Sequence, residues 1–210
     1  MLIAPFMVLG YLCGSVPFGL WLVKLLKGVD IRTVGSHNIG ATNVWRTYGW
    51  RYGVPVMVLD ILKAFVPTLV ATLVAGHLVG VLTGAAAMIG HARPIFLKFA
   101  RGGKMVATAA GAFLGVAPLL GLAGAGVWLL VFAVFRYASL ASIVAAASLA
   151  PLAWAMDYPW PVVAFGGAAG VGVVVLHRAN IGRLLRGEEN RFHFRRGRKA
   201  RTGAEVPASR

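Results

Sequence analysis

Acidic residues and cysteine are what this chain has least of. Six Asp and Glu stand against 21 Lys and Arg in 210 residues, and Cys13 is the one cysteine. A lone thiol excludes an intrachain disulfide and offers no metal constellation, so Cys13, set in an apolar segment, is expected to act as a small buried hydrophobe. Charge of either sign is scarce too. Only 13% of residues are charged, against about 25% in a soluble domain, while 59% are hydrophobic and the mean hydropathy is +0.77. That excludes an ordinary soluble domain and points to an all-α polytopic membrane protein. A net charge of +15 and a pI near 11.3 would suggest nucleic acid in a soluble chain. Here the basic residues interrupt apolar runs, so they read as a cytoplasmic membrane face and nucleic acid is not expected as a partner. No basic n-region precedes the first apolar run, which is too long for a signal-peptide core, so it reads as a retained span.

The apolar runs predict about seven transmembrane helices, near 2–26, 52–75, 78–89, 105–116, 119–135, 137–156 and 162–176. Pro17, within Gly14-Ser15-Val16-Pro17-Phe18-Gly19, predicts a kink near Ser15. Asp60 and Lys63 lie inside the second run, three residues apart on one helical face, and are expected to pair. With seven spans every Lys and Arg except Lys63 falls on one side, which puts the N-terminus outside and the C-terminus in the cytoplasm. The membrane domain is expected to cover 1–190. The basic tail, 191–210, is expected to be disordered, dispensable for chemistry and at most drawn electrostatically to anionic lipid.

Two polar stretches fall on the cytoplasmic side. The first, Gly35-Ser36-His37-Asn38-Ile39-Gly40-Ala41-Thr42-Asn43, followed by Arg46 and Arg51, combines small, flexible and hydroxyl-bearing residues with cations. Such a loop can wrap an oxyanion, or it can simply be a solvated linker. The second carries Gly102-Gly103-Lys104 ahead of a helix, a weak anion-binding signature by itself and not a P-loop. Ser139 and Ser142 share a face, as do His177 and Asn180. Convergence of these groups on one membrane side favours a phosphate-handling site in glycine-rich cytoplasmic loops over unrelated linkers.

These motifs, with Asp30-Ile31-Arg32, Asp60-Ile61-Leu62-Lys63, Gly90-His91 and His177-Arg178-Ala179-Asn180-Ile181, resemble the bacterial acyl-phosphate glycerol-3-phosphate acyltransferases, the PlsY family, over about Leu9 to Glu189. The resemblance implies an enzyme of the bacterial inner membrane that moves a fatty acyl group from acyl phosphate to the 1-hydroxyl of glycerol 3-phosphate. The products are lysophosphatidic acid and phosphate, no metal or cofactor is needed, and an upstream partner enzyme makes the acyl phosphate. It assigns Ser36, Arg46, Lys104, His177 and Asn180 to glycerol 3-phosphate, and Thr42, Asn43, Gly102, Gly103, Lys104 and Ser142 to acyl phosphate. Lys104, Ser36, His177 and Asn180 would be catalytic, with either His177 or the donor's own phosphate as base. One loop departs from the family pattern. The family's Phe-Lys-Gly-Gly-Lys-Gly reads Phe99-Ala100-Arg101-Gly102-Gly103-Lys104-Met105, with one added residue, Arg for the first Lys and Met for the last Gly.

Two other classes compete. A transporter for a phosphorylated metabolite needs ionisable groups on both sides, and the outward half offers little beyond Asp157. A structural or lipid-binding subunit predicts no turnover.

Overall fold

The computed structural model describes residues 2–192, which form nine α-helices and no strand. The first apolar run is two helices, α1 (Ile3–Ser15) and α2 (Phe18–Lys27). The break falls at Val16-Pro17, where proline removes an N–H donor from the ladder. The two pieces together make one candidate span. A short 3-10 turn, Ile31–Thr33, and α3 (Ala41–Tyr48) follow.

Helix α4 (Trp50–Ala92) is continuous in hydrogen bonding but reverses at Gly76, whose φ of 81° suits glycine. The second arm, 77–92, folds back along the first. A side chain at Gly80 would strike Thr72, and one at Gly84 would meet Thr68 and Ala112. Gly14 of α1 lies against Ala87, and Gly90 against Tyr11 and Ser15, so α1 runs parallel to the second arm at backbone contact distance.

Helix α5 (Val106–Val116) packs on α4, with Gly111 against the Ile61 carbonyl, and turns at Ala117 into α6 (Pro118–Phe135). Helices α7 (Ala138–Ala155) and α8 (Trp160–Leu176) make a hairpin through Asp157. Helix α8 then bends by 63° into α9 (Arg178–Leu185). Phe113 and Phe165, with ring centroids 4.6 Å apart, anchor the main core between α4, α5, α7 and α8.

The architecture is the expected all-helical membrane bundle. Each of the seven apolar runs is helical, but by length and composition four of the described helices can cross a membrane, or five if α8 and α9 count as one bent span. The shortfall comes from 77–92 and α5, whose 16 and 11 residues extend only about 24 and 16 Å at ~1.5 Å per residue.

The packed chain runs past the boundary expected at 190. Arg191 donates from Nε to the Phe135 carbonyl at 3.3 Å, and its guanidinium lies 5.9 Å from the Tyr137 ring centre. Phe192 is buried, donates its N–H to the Arg136 carbonyl, and packs edge-on to Trp45 and Phe132. The expectations for 193–210 lie outside the described residues.

Candidate active site

The first polar stretch is tied together by Asn43. Its buried side chain donates from Nδ2 to the carbonyls of Ile31, Val34 and Asn38 and accepts the Ser36 N–H on Oδ1. A soluble-looking loop thus has its backbone satisfied from inside, which fixes the path of Gly35 to Gly40. Asn38 accepts the Gly40 N–H and donates 3.2 Å to the Gly102 carbonyl, so the first stretch is stitched to the second. Ser36 on this loop and Thr42 in the first turn of α3 remain exposed.

In the second stretch the two glycines lie flat on the end of α4. Gly102 donates to the Ala92 carbonyl at 2.9 Å and Gly103 to the His91 carbonyl at 3.0 Å. A methyl on Gly103 would collide with the His91 ring, and one on Gly102 with the His91 carbonyl. Met105 then takes a left-handed φ of 67° as the residue before α5. Glycine would suit this backbone better, since an L side chain costs about 1–2 kcal/mol there. No side chain caps the N-terminus of α5, so its first-turn N–H groups have no intrahelical partner.

Lys104 points from this loop to α9. Its Nζ donates to Asn180 Oδ1 at 2.6 Å. Asn180 Nδ2 donates to Glu189 Oε1 at 2.8 Å, and the same carboxylate accepts from Ser139 Oγ at 2.8 Å and from Arg183 Nε at 2.7 Å. Glu189 therefore sets the Asn180 amide with its oxygen toward Lys104. His177, three residues before Asn180, places Nδ1 2.8 Å from the Val173 carbonyl. A carbonyl only accepts, so Nδ1 carries a proton and the neutral ring keeps its lone pair on Nε2. Arg46 donates from Nη2 to the Asn190 carbonyl at 2.8 Å, and its guanidinium sits 5.6 Å from the Phe192 ring centre.

Charge is unevenly balanced here. Burial pushes the Lys104 ammonium down to about 8; Glu189 opposes the shift, and the Arg183, Arg101 and Arg46 cations add to it. Burial would raise the Glu189 carboxyl, but hydrogen bonds from Asn180, Ser139 and Arg183 and the Arg183 charge hold it below the usual carboxylate range. The Glu189 carboxylate thus offsets the cations of Lys104, Arg46 and Arg183, with Arg101 adding charge beside Lys104, an arrangement that an added anion would relieve.

Known proteins match this chain along most of its length. The family described as glycerol-3-phosphate acyltransferase matches residues 4–187. The chain belongs to the glycerol-3-phosphate acyltransferase family. The relative from Desulforudis audaxviator, named glycerol-3-phosphate acyltransferase, is 47% identical over 189 residues, 90% of this chain and 94% of that protein. The relative of the same name from Aquifex aeolicus is 46% identical over 187 residues, 88% of this chain and 96% of that one. Crystal structures of PlsY, an integral membrane glycerol 3-phosphate acyltransferase, superpose well. Its glycerol 3-phosphate form gives a TM-score of 0.88 at 44% identity, and its lysophosphatidic acid form 0.85 at 42%. Each alignment covers 92% of this chain and 96% of the other.

For this acyltransferase, the structure sorts the residues expected at the site. Lys104 is hydrogen-bonded to Asn180, His177 lies three residues before Asn180 within reach of the Lys104 charge, and Arg46 of α3 reaches over to the 189–192 segment. Ser36 on the loop and Thr42 at the start of α3 stay exposed, and neither is hydrogen-bonded to Lys104. Asn43, expected to hold acyl phosphate, spends its polar atoms on four backbone partners and acts on the loop. The Gly102 and Gly103 N–H groups, expected as a cradle, are taken by α4 carbonyls. Ser142 accepts from Trp128 Nε1 and donates to the Ala138 carbonyl, fastening α6 to α7. Glu189, Ser139 and Arg183 form the network that orients Asn180. Of these the sequence singled out only Ser139, and only by its face.

Proposed function

We propose that this chain transfers a fatty acyl group from acyl phosphate to the 1-hydroxyl of glycerol 3-phosphate, releasing lysophosphatidic acid and phosphate. The reaction is placed at the cytoplasmic face of the bacterial inner membrane, with the N-terminus outside. The observation that carries this reading is the Lys104–Asn180–Glu189 chain, surrounded by Arg46, Arg101 and Arg183. Two phosphate-bearing substrates repel one another, and a cluster with surplus cations offsets that repulsion. Lys104 and Arg46 serve as charge donors to the phosphates, Asn180 and Ser36 as polar contacts to glycerol 3-phosphate, and Thr42 with the open end of α5 as contacts to the donor phosphoryl group.

Acyl phosphate is already activated, so binding and charge stabilisation suffice. The hydroxyl oxygen attacks the acyl carbonyl carbon, the bond from that carbon to the bridging oxygen breaks, and phosphate leaves with the electron pair. The hydroxyl proton goes to the departing phosphate, with the His177 Nε2 lone pair as the rival acceptor.

The test supplies purified protein with glycerol 3-phosphate and either acyl phosphate or acyl-CoA. Lysophosphatidic acid formed from acyl phosphate, stoichiometric with phosphate, supports the reading. Equal or faster turnover with acyl-CoA overturns the donor, and no product from either overturns the activity. His177→Gln separates the two proton acceptors: a fall in kcat beyond ~10²-fold assigns the proton to His177.

A further inference from the structure

Asp60, Lys63 and His91 are buried together in the bundle and take no part in the chemistry described above. Lys63 Nζ lies 2.6 Å from Asp60 Oδ1, an ion pair without directed hydrogen-bond geometry. It donates 2.8 Å to the Val16 carbonyl at the α1–α2 break and lies 2.9 Å from His91 Nδ1. An ammonium has only protons to offer, so Nδ1 is the acceptor and the ring proton sits on Nε2. The Nε2 end of that ring lies directly against Gly103, and the His91 and Ala92 carbonyls receive the Gly103 and Gly102 N–H groups. One cation thus joins both arms of α4 to the break in the first span. The imidazole it holds supports the residue before Lys104.

We infer that Lys63, held by Asp60, is a positioning residue for acyl transfer: it fixes the His91 ring so that the Gly102-Gly103 backbone presents the Lys104 ammonium at the substrate phosphates. This rests on the assignment of Lys104 to those phosphates. Fold stability alone gives little reason for such a pair, because a buried ion pair can often be replaced by apolar residues at no loss. Orientation of a neighbour gives one, since a displacement of about 1 Å at a site can lower turnover ~10²-fold.

A mutant cycle between His91 and Gly103 tests it, with kcat and KM measured on acyl phosphate and glycerol 3-phosphate. His91→Asn keeps an acceptor near the Nδ1 position and empties the space under Gly103, so kcat should fall only ~5-fold, whereas Gly103→Ala drives a methyl into the ring and should lower it at least ~30-fold. In the double variant the methyl has room, and kcat should return to within ~3-fold of His91→Asn alone. Purely additive losses overturn the inference. Lys63→Met gives a second readout: kcat should fall at least ~10-fold, and glycerol 3-phosphate should no longer protect Lys104 from acetylation, as mapped by mass spectrometry. Retained protection with kcat within 2-fold also overturns it. If Lys63→Met fails to fold, the cycle, in which the ion pair is intact, still decides. Failure of the Lys104 assignment itself would show separately, as full activity of Lys104→Ala.

Discussion

Lys104 should leave its signature on the alkaline limb of the pH–rate profile. The free enzyme holds this ammonium near 8 instead of its ordinary 10.5. It is therefore about 90% charged at pH 7 and about 10% at pH 9. Because kcat/KM reports the free enzyme, it should fall with a midpoint near pH 8, where an ordinary lysine would not titrate. A bound phosphate favours the ammonium, so the limb in kcat should lie at higher pH than the limb in kcat/KM. Lys104→Arg, charged at any accessible pH, should abolish the limb near 8 while recovering only part of the activity, since a planar fork does not replace a point charge. Lys104→Ala should lose at least ~10²-fold in kcat/KM, corresponding to a charge-assisted contact of about 1.5–3 kcal/mol that strengthens in the transition state.

Stability should move the other way. A base whose folded pKa lies below its unfolded value disfavours folding while it is protonated, and the penalty fades as pH rises from about 8 to 10.5. Lowering the ammonium from 10.5 to about 8 corresponds to about 3 kcal/mol. Lys104→Ala should therefore melt no lower than the parent at pH 7 in the same detergent. A flat kcat/KM profile from pH 7 to 9.5, or the same limb in Lys104→Arg, would refute the reasoning.

Three further outcomes follow from the packing. Asn43→Asp should be worse than Asn43→Ala, because an oxygen would replace the Nδ2 donor before three carbonyl oxygens; KM for glycerol 3-phosphate should rise at least ~10-fold for Asp, and equal KM values would count against the hub role. Truncation after Phe192 should leave turnover within 2-fold, whereas Phe192→Ala, which removes the ring beside the Arg46 guanidinium, should raise that KM ~3–10-fold; an unchanged KM removes Phe192 from the site's support. Reporter fusions at Gly76, Ala117 and Asp157 should read outside and one at Arg191 inside, and a cytoplasmic signal at Asp157 would sink the seven-span count and the orientation together.

The apolar runs, the break at Pro17 and the Asp60–Lys63 pair were legible in the sequence because each is local: hydropathy, a missing donor and an i,i+3 spacing suffice. His91 could not be added to that pair, since it lies 28 residues from Lys63 and reaches it only because the chain reverses at Gly76. Asn43 misled for a different reason. An asparagine in a polar loop looks the same whether it holds a ligand or its own backbone. Glu189 was hidden beside Glu188 in a basic run; one is buried in the Asn180 network and the other pairs with Arg186 at the surface. Met105 was visible as a departure, but the left-handed backbone behind it was not.

The two short helices also set the depth of the chemistry. The second arm of α4 starts from the turn at Gly76 and α5 ends at the turn at Ala117, and the Gly102-Gly103-Lys104 loop joins their far ends. Measured from those turns, the loop is reached after about 16–24 Å of helix, short of a ~30 Å hydrocarbon core. Were those turns at one boundary of the core, the loop would end several ångströms below the opposite headgroups. The proposed donor, acyl phosphate, would then bring its phosphate to Lys104 while its tail stays in the lipid it came from, and the water-soluble acceptor would have to descend. Partition between two phases, as much as affinity, would then govern which substrate limits the rate.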